Sequence, residues 1–134
     1  SLGLVGSEMC IRDRSKFFIA LLSGGQANGA RILKPSSVDE MLRLQFTAEH
    51  KPANVDIAEK NSGLFWQTKF NTRYVGHGGS DPGLKTEMLA TPDLRTGIVF
   101  FTNTAGQDTE KAYVAILKLL FAHAQALSAS GAAR

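Results

Sequence analysis

A histidine within a glycine-rich segment is the strongest candidate for chemistry in this 134-residue sequence. His77 is followed by Gly78 and Gly79, and Ser80 comes directly after them. Imidazole can transfer protons near neutral pH, and glycines in a strand often let a ligand approach the backbone closely. A bound ester or amide needs such an approach, because its carbonyl oxygen must reach a backbone N–H as negative charge develops. The segment therefore indicates either one wall of a catalytic cleft or a glycine-rich turn without chemistry.

Two other chemistries suit this segment less well. A phosphate-binding loop needs glycines between a strand and a helix, whereas the residues after "GHGGSDPG" have the pattern of a strand. A self-contained triad of Ser80, His77 and Asp81 is disfavoured, because Pro82 breaks the Gly-x-Ser-x-Gly pattern. In addition, residues three apart on an extended chain point to opposite faces. We therefore expect any nucleophile to lie elsewhere.

The composition excludes several other classes of function. The net charge of +3 comes from 15 basic and 12 acidic residues, which are scattered and form no basic stripe of the kind that binds nucleic acid. No apolar run approaches the roughly 20 residues that span a bilayer. His50 and His123 have no partner at the spacing of metal ligands. We expect no nucleic-acid partner, no membrane segment, no metal and no organic cofactor.

The elements around His77 are predicted to form an antiparallel meander. From Gly63 onwards the apolar residues alternate, as in strands, and turn residues separate the apolar runs. The predicted turns lie at Asn71-Thr72 and at Thr91 to Gly97. The segment from Ile98 to Phe101 is continuously apolar, which predicts a central strand covered on both faces. The four predicted strand segments are "GLFWQTKF", "RYVGHGG", "LKTEMLAT" and "TGIVFFTN".

Two short helices are predicted before the strands. The first runs from about Lys16 to Ser23 and ends at two glycines. The second begins near Pro35, where Ser37 and Glu40 have the spacing of a capping box. A tight turn is expected between them at Asn28-Gly29. Residues 47 to 62 lack periodicity and are predicted to be an exposed connection.

A third, longer helix is predicted from about Thr109 to Ala126, with Asp108 as its cap. It should lie across the sheet, so the predicted fold class is α/β of the α+β type, an antiparallel sheet packed with helices. Its predicted inner face steps by three and four residues and comprises Ala112, Ala115, Ile116, Leu119, Leu120 and His123.

The N-terminal residues resemble an artefact of sequencing. "LVGSEMCIRD", residues 4–13, resembles the translation of a transposase-type sequencing-library adapter. Residues 1–14 are therefore interpreted as an artefact, with 15–127 as the domain and 128–134 as a flexible tail. Cys10 is the only cysteine in the sequence, so cysteine usage indicates no redox compartment for the domain. We expect a native N-terminal portion, with any signal peptide, to be missing.

Several segments in order resemble the C-terminal part of the β-lactamase-related serine hydrolases. They are "FFIALLSGGQANGARILKPSSVDEML", "GLFWQ", "YVGHGGSDPGLKTEML" and "TPDLRTGIVFFTN". The family includes class C β-lactamases, D-alanyl-D-alanine carboxypeptidases and family VIII-type esterases. The resemblance covers residues 16 to about 121, and implies a partial β-lactamase/transpeptidase-like fold that lacks its N-terminal portion.

The resemblance also implies roles for individual residues. His77, Gly78 and Gly79 occupy the family's third active-site motif, where many members have Lys-Thr-Gly and others His-x-Gly. Ser80 would donate its backbone N–H to the oxyanion hole, and His77 would bind the substrate or assist proton transfer. A histidine with the ordinary pKa is mostly neutral at pH 7, unlike lysine. The implied substrate is therefore a small ester or amide, and strong β-lactamase activity is not expected.

The sequence departs from the family pattern at the nucleophile. None of its serines is followed three residues later by lysine, so the family's Ser-x-x-Lys motif is absent, and so is Tyr-x-Asn. Both motifs normally precede the stretch seen here, so we expect the parent hydrolase to carry them upstream and this chain to be inactive. The alternative is a catalytically silent relative that serves as a binding or assembly module. Compartment and oligomeric state are left open, with a periplasmic or secreted parent among the options.

Overall fold

The structure, a computed structural model, describes residues 11–104, 106 and 109–131. Within these ranges a four-stranded antiparallel sheet lies between helices, and a two-stranded hairpin joins the first two helices. The mixed α+β class predicted from the sequence is confirmed. The elements are α1 (Ile11–Leu22), β1 (Gln26–Ala27), β2 (Ala30–Arg31), α2 (Pro35–Leu42), β3 (Gln67–Lys69), β4 (Tyr74–Asp81), β5 (Leu84–Ala90), β6 (Gly97–Thr102) and α3 (Glu110–Ala129).

The main sheet is the predicted meander, with spatial order β3-β4-β5-β6. A two-residue turn, Pro82-Gly83, joins β4 to β5, and Gly83 has a φ of 78° that favours glycine. This turn sets the register, in which His77 lies opposite Met88 and Ser80 lies opposite Lys85. Because side chains alternate along a strand, consecutive residues of β4 face opposite sides of the sheet.

Strand β3 is shorter than predicted, because the chain turns at residues 63–66. The N–H of Gly63 donates to the carbonyl oxygen of Trp66 at 2.7 Å. Phe65 has a φ of 66° and is 84% exposed. Trp66 is buried and stacks on Phe18 with ring centroids 5.9 Å apart. Burial of this indole requires the turn, which interrupts the alternation that predicted a longer strand.

Strand β6 lies at the end of the sheet, so the prediction of a central strand is wrong. Its apolar run has another cause: one helix packs on each face of the strand. Ile98 packs with the residues of α3, whereas Val99 packs with the cluster that contains Phe18 of α1. A strand covered on both faces needs apolar residues at successive positions even when one edge is unpaired. No strand of the described chain pairs with the outer edge of β6.

Helices α1 and α2 cover one side of the sheet, here called the α1 face. Their core includes Phe18, Leu21 and Val38, packed against Trp66 and Met88. Helix α1 begins at Ile11, five residues before the predicted start, and so includes part of the segment interpreted as an artefact.

Of the predictions for this region, the turn and the start of α2 are confirmed, whereas the capping box is not. The turn at Asn28-Gly29 joins β1 to β2, with φ values of 50° and 78°. Helix α2 begins at Pro35, but the predicted capping box is wrong: Lys34 is the N-cap, and no side chain caps the helix. Glu40 accepts hydrogen bonds from Arg43 instead.

The connection at residues 47–62 contains no helix. Its one residue in a β-bridge is Ser62, which pairs with Gln67 at the start of β3. Its end is not exposed, because Asn61 is buried. The Asn61 side chain accepts a hydrogen bond from the N–H of Phe46 at 3.1 Å and donates one to the Phe46 carbonyl at 2.9 Å. These bonds hold the two ends of the connection together, and the N–H of Asn61 donates to Oγ1 of Thr68 in β3 at 2.7 Å.

Helix α3 covers the opposite side, here called the α3 face, but with a different stripe from the one predicted. Its buried residues are Tyr113, Leu117 and Phe121, which pack on Leu89 and Ile98. The helix is apolar nearly all round, so periodicity alone did not identify the inner face; the two aromatic rings bury more area than the alanines of the predicted stripe. Of the predicted inner face, Leu120 is half-buried and Ala112, Ala115, Ile116, Leu119 and His123 are exposed.

Two further features concern the ends and composition of α3. It continues to Ala129, three residues beyond the predicted end, whereas the predicted cap Asp108 lies outside the described residues. In the described part of the chain, α3 alone has the length and mean hydropathy that a membrane span would need. Helix α3 packs on the sheet through Leu117, and 17% of its apolar stretch is buried.

The observed face of α3 can be tested with two leucines from the same helix. Leu117 is 3% exposed and Leu119 is 70% exposed. Leu117→Ala should lower the free energy of unfolding by about 2–5 kcal/mol because it leaves a cavity, whereas Leu119→Ala should change it by less than about 0.5 kcal/mol. Urea unfolding of both variants measures the difference. A larger loss from Leu119→Ala would contradict the observed packing.

The unpaired edge of β6 should make the chain self-associate, because exposed strand edges template pairing with other chains. We expect dimers or larger species in sedimentation at micromolar concentration. Thr102→Glu puts a charge on β6, opposite Lys85, and should reduce association; Thr104→Glu, outside the strand, is the matched control. A monodisperse monomer with a sharp cooperative unfolding transition would contradict this expectation.

Candidate functional site

Strand β4 has an outer neighbour along only part of its length. Strand β3 pairs with Tyr74, Val75 and Gly76. From His77 to Asp81 the strand pairs with β5 on one side, and no described residue forms a strand on the other. Alternate residues of an antiparallel strand direct both N–H and C=O to the same side, so this segment presents free peptide groups along its outer edge. The predicted motif lies entirely within it.

His77 is exposed on the α1 face and lines a cavity of about 540 Å³. The opposite residue, Met88, forms part of the floor, and Trp66 and Phe17 form apolar walls. Phe65, the residue forced out at the turn before β3, closes one side. An imidazole beside an apolar cavity of this size has room for a bound small molecule.

Arg14 also lines this cavity and is anchored by two contacts. Its guanidinium donates a hydrogen bond to Thr86 Oγ1 at 3.2 Å and lies 4.7 Å from the ring centroid of Phe101. The side chain therefore spans the sheet from β5 to β6, below the cavity that His77 lines. Arg14 lies within residues 1–14, which are interpreted as an artefact. Its contacts therefore belong to the 134-residue sequence and not to the predicted domain of residues 15–127.

Ser80 lies on the other side of the sheet from His77, as expected for residues three apart on a strand. It is opposite Lys85 on the α3 face. Lys85 Nζ lies 2.9 Å from Glu110 Oε2 and 3.7 Å from the ring centroid of Tyr113. The hydroxyl of Ser80 and the ring of His77 therefore do not form a nucleophile–base pair, and the role predicted for Ser80 concerns its backbone N–H.

The glycines in and beside the motif differ in the atoms that a side chain at each position would meet. A Cβ at Gly78 would lie 2.5 Å from Cδ of Glu87 and 2.7 Å from its Oε1, so the carboxylate fills the space that a side chain would occupy. At Gly76 the obstruction is the carbonyl oxygen of Met88. At Gly79 the nearest atom, Thr86 Oγ1, would be 3.4 Å away, an ordinary contact. Packing within the chain therefore explains Gly76 and Gly78 but not Gly79.

Glu87 is a buried charge beneath the motif, only 7% exposed. The hydroxyl of Tyr113 donates a hydrogen bond to its Oε1 at 2.8 Å, and Lys69 Nζ lies 3.9 Å from the same oxygen. Its Oε2 has no hydrogen-bond partner among the described residues. Burial raises the pKa of the Tyr113 phenol, and the hydrogen bond to Glu87 and the charge of its carboxylate raise it further. Tyr113 is therefore a neutral donor at pH 7.

Sequence reasoning missed Glu87 and Tyr113, although one signal was present. Glu87 directly precedes the apolar residues Met88 and Leu89, and a charge in a buried strand needs a partner. No sequence pattern identified Tyr113 as that partner, since it lies 26 residues away. The structure brings together His77, Gly78 and Gly79 on one open edge, and places the Ser80 amide in the same segment.

Metal chemistry has no candidate cluster in the described ranges, where no three histidine, cysteine, aspartate or glutamate side chains come together. Comparison with known proteins adds no relationship: no protein-family model matches the chain, and neither does any curated protein. The resemblance to β-lactamase-related hydrolases therefore stays a prediction from the sequence.

The contact between Gly78 and Glu87 predicts a difference between neighbouring glycines. Gly78→Ala should displace the Glu87 carboxylate from Tyr113 and lower the free energy of unfolding by about 1–3 kcal/mol. Gly79→Ala, with room for its methyl group, is the matched control and should cost clearly less. Urea unfolding of both variants gives the two values.

A double-mutant cycle identifies the cause of that loss. In the Tyr113→Phe background the hydrogen bond to Glu87 is already gone, so Gly78→Ala should cost less than it does in the original chain. Equal costs in the two backgrounds would show that displacement of the carboxylate from Tyr113 is not what makes alanine unfavourable at position 78.

Proposed function

We propose that residues 15–127 form the C-terminal part of a serine hydrolase related to the β-lactamases, and that β4 is one wall of its cleft. One observation carries the proposal: among the described residues, β4 has no outer neighbour from His77 onwards, and a cavity of about 540 Å³ opens beside the sheet at this residue. A free strand edge next to a cavity lets a substrate carbonyl reach a backbone N–H. The order of segments that resembles this family supports the same assignment.

The proposed reaction is acyl transfer through a serine ester. A serine in residues preceding this sequence attacks the carbonyl carbon of a small ester or amide. The oxyanion is held by the N–H of that serine and by the N–H of Ser80, and Gly79 leaves the approach open. The alcohol or amine leaves with a proton, and water then releases the acid and regenerates the serine.

His77 is assigned to the substrate side of this cleft. Its ring is positioned to hydrogen-bond the bound substrate or to assist the transfer of a proton to the leaving group. The apolar walls formed by Trp66 and Met88 suit an apolar acyl or alcohol group. In the proposed domain of residues 15–127, which excludes Arg14, these walls and the replacement of a family lysine by histidine favour neutral esters over substrates that carry a carboxylate.

A binding or assembly module is the second candidate. It is favoured by the hydrogen bonds of the described serines: none of their hydroxyls bonds to a histidine or lysine side chain. In the described part of the chain, no serine is therefore activated by a histidine or lysine side chain. Both candidates use the same open edge, and they differ in whether an upstream Ser-x-x-Lys exists.

The test uses the reading frame extended upstream until it encodes a complete domain. A fluorophosphonate probe should label one serine of the extended protein and none of the 134-residue chain. In the extended protein His77→Ala should lower kcat/KM for p-nitrophenyl acetate by about 10²-fold or more, because His77 contacts the substrate.

His123→Ala is the matched control, since His123 is exposed on α3. It should leave kcat/KM unchanged. An extended protein without a labelled serine would favour the binding module. Labelling together with full activity of His77→Ala would contradict the role given to β4.

A further inference from the structure

A second cavity lies on the α3 face, where the turn between β3 and β4 meets α3. Its volume is about 390 Å³, within the range of small-molecule sites. Tyr74 stacks on Phe121 with ring centroids 4.0 Å apart, and Phe70 meets Tyr74 edge-on at 6.1 Å. Leu117 and Phe121 are buried and form the floor. The cavity therefore has aromatic walls in two orientations.

Two cations line the same cavity. Arg73, at the end of the turn, and Lys118, on α3, are both exposed. Within the described part of the chain neither has a carboxylate within ion-pair distance. An apolar floor with two uncompensated positive charges is complementary to a ligand with a ring at one end and a negative charge at the other.

The turn itself is held in an unfavourable backbone conformation. Phe70, Asn71 and Thr72 have φ values of 53°, 54° and 61°, in the left-handed region that non-glycine residues rarely adopt. Such residues cost free energy and cluster at active sites, ligand clamps and switch regions. The conformation leaves the Phe70 ring 39% exposed at the cavity, where a bound ring could cover it.

We propose that this cavity binds a small carboxylic acid anion with an aromatic tail. The tail lies on Tyr74 and Phe121 beneath Phe70, and the carboxylate lies between Arg73 and Lys118. This site goes beyond the proposed function, because it lies on the face of the sheet opposite His77. It needs neither the upstream nucleophile nor the open edge of β4.

The experiment titrates the 134-residue chain with 4-phenylbutyrate by isothermal calorimetry. The amine of matched shape, 4-phenylbutylamine, should bind at least about tenfold more weakly, because it places a positive charge beside Arg73 and Lys118. Arg73→Gln and Lys118→Gln should each weaken binding of the acid by about three- to tenfold, since each removes a charge-assisted hydrogen bond. Arg95→Gln, in the turn between β5 and β6, is the control for net charge.

Several outcomes would overturn the proposal. Equal affinities for the acid and the amine would do so, as would a loss in Arg95→Gln equal to that in the two cavity variants. No detectable heat with the acid at millimolar concentration would also contradict it. Circular dichroism verifies that each variant is folded, and Lys118→Gln, at an exposed helix position, remains decisive if Arg73→Gln unfolds. His77→Ala should leave the affinity unchanged, which separates this test from that of the hydrolase.

Discussion

The buried carboxylate of Glu87 is the contact on which the arrangement of the candidate site depends. A charge that is 7% exposed must be hydrogen-bonded to be tolerated, and the hydroxyl of Tyr113 supplies that bond. The bond joins α3 to β5. The carboxylate in turn occupies the space over Gly78, so a side chain at that position would have to displace it from Tyr113. Helix, central strand and motif strand are thereby fixed together on the α3 face.

The glycines of this run do not all have the same explanation. Gly76 and Gly78 are explained by contacts within the chain, and only Gly79 has free space on the side of the sheet that His77 shares. A run of glycines in a sequence therefore does not by itself indicate close approach of a ligand. The features that support the proposed function are instead the edge of β4 that no described strand covers and the cavity beside His77.

Much of the local structure could be predicted from the sequence, because the signals concerned are local. The alternation from Gly63 onwards predicted the meander, and the turns at Asn28-Gly29 and Asn71-Thr72 followed from residue types that favour particular φ values. The predictions that failed depended on what lies across space. The inner face of α3 was ambiguous because the helix is apolar all round, and β6 was placed centrally because burial on both faces is the same for edge and central strands. The partner of Glu87 could not be predicted, since no local pattern links residues 26 apart.

We propose that the edge of β4 from His77 to Ser80 receives the carbonyl oxygen of a substrate. The decisive experiment is a structure of the upstream-extended protein with a phosphonate bound to its nucleophilic serine. We expect a phosphonyl oxygen at about 3 Å from the backbone nitrogen of Ser80, with the His77 ring beside the adduct. An adduct whose oxygen is bound by other groups, with the β4 edge covered by another strand, would contradict it.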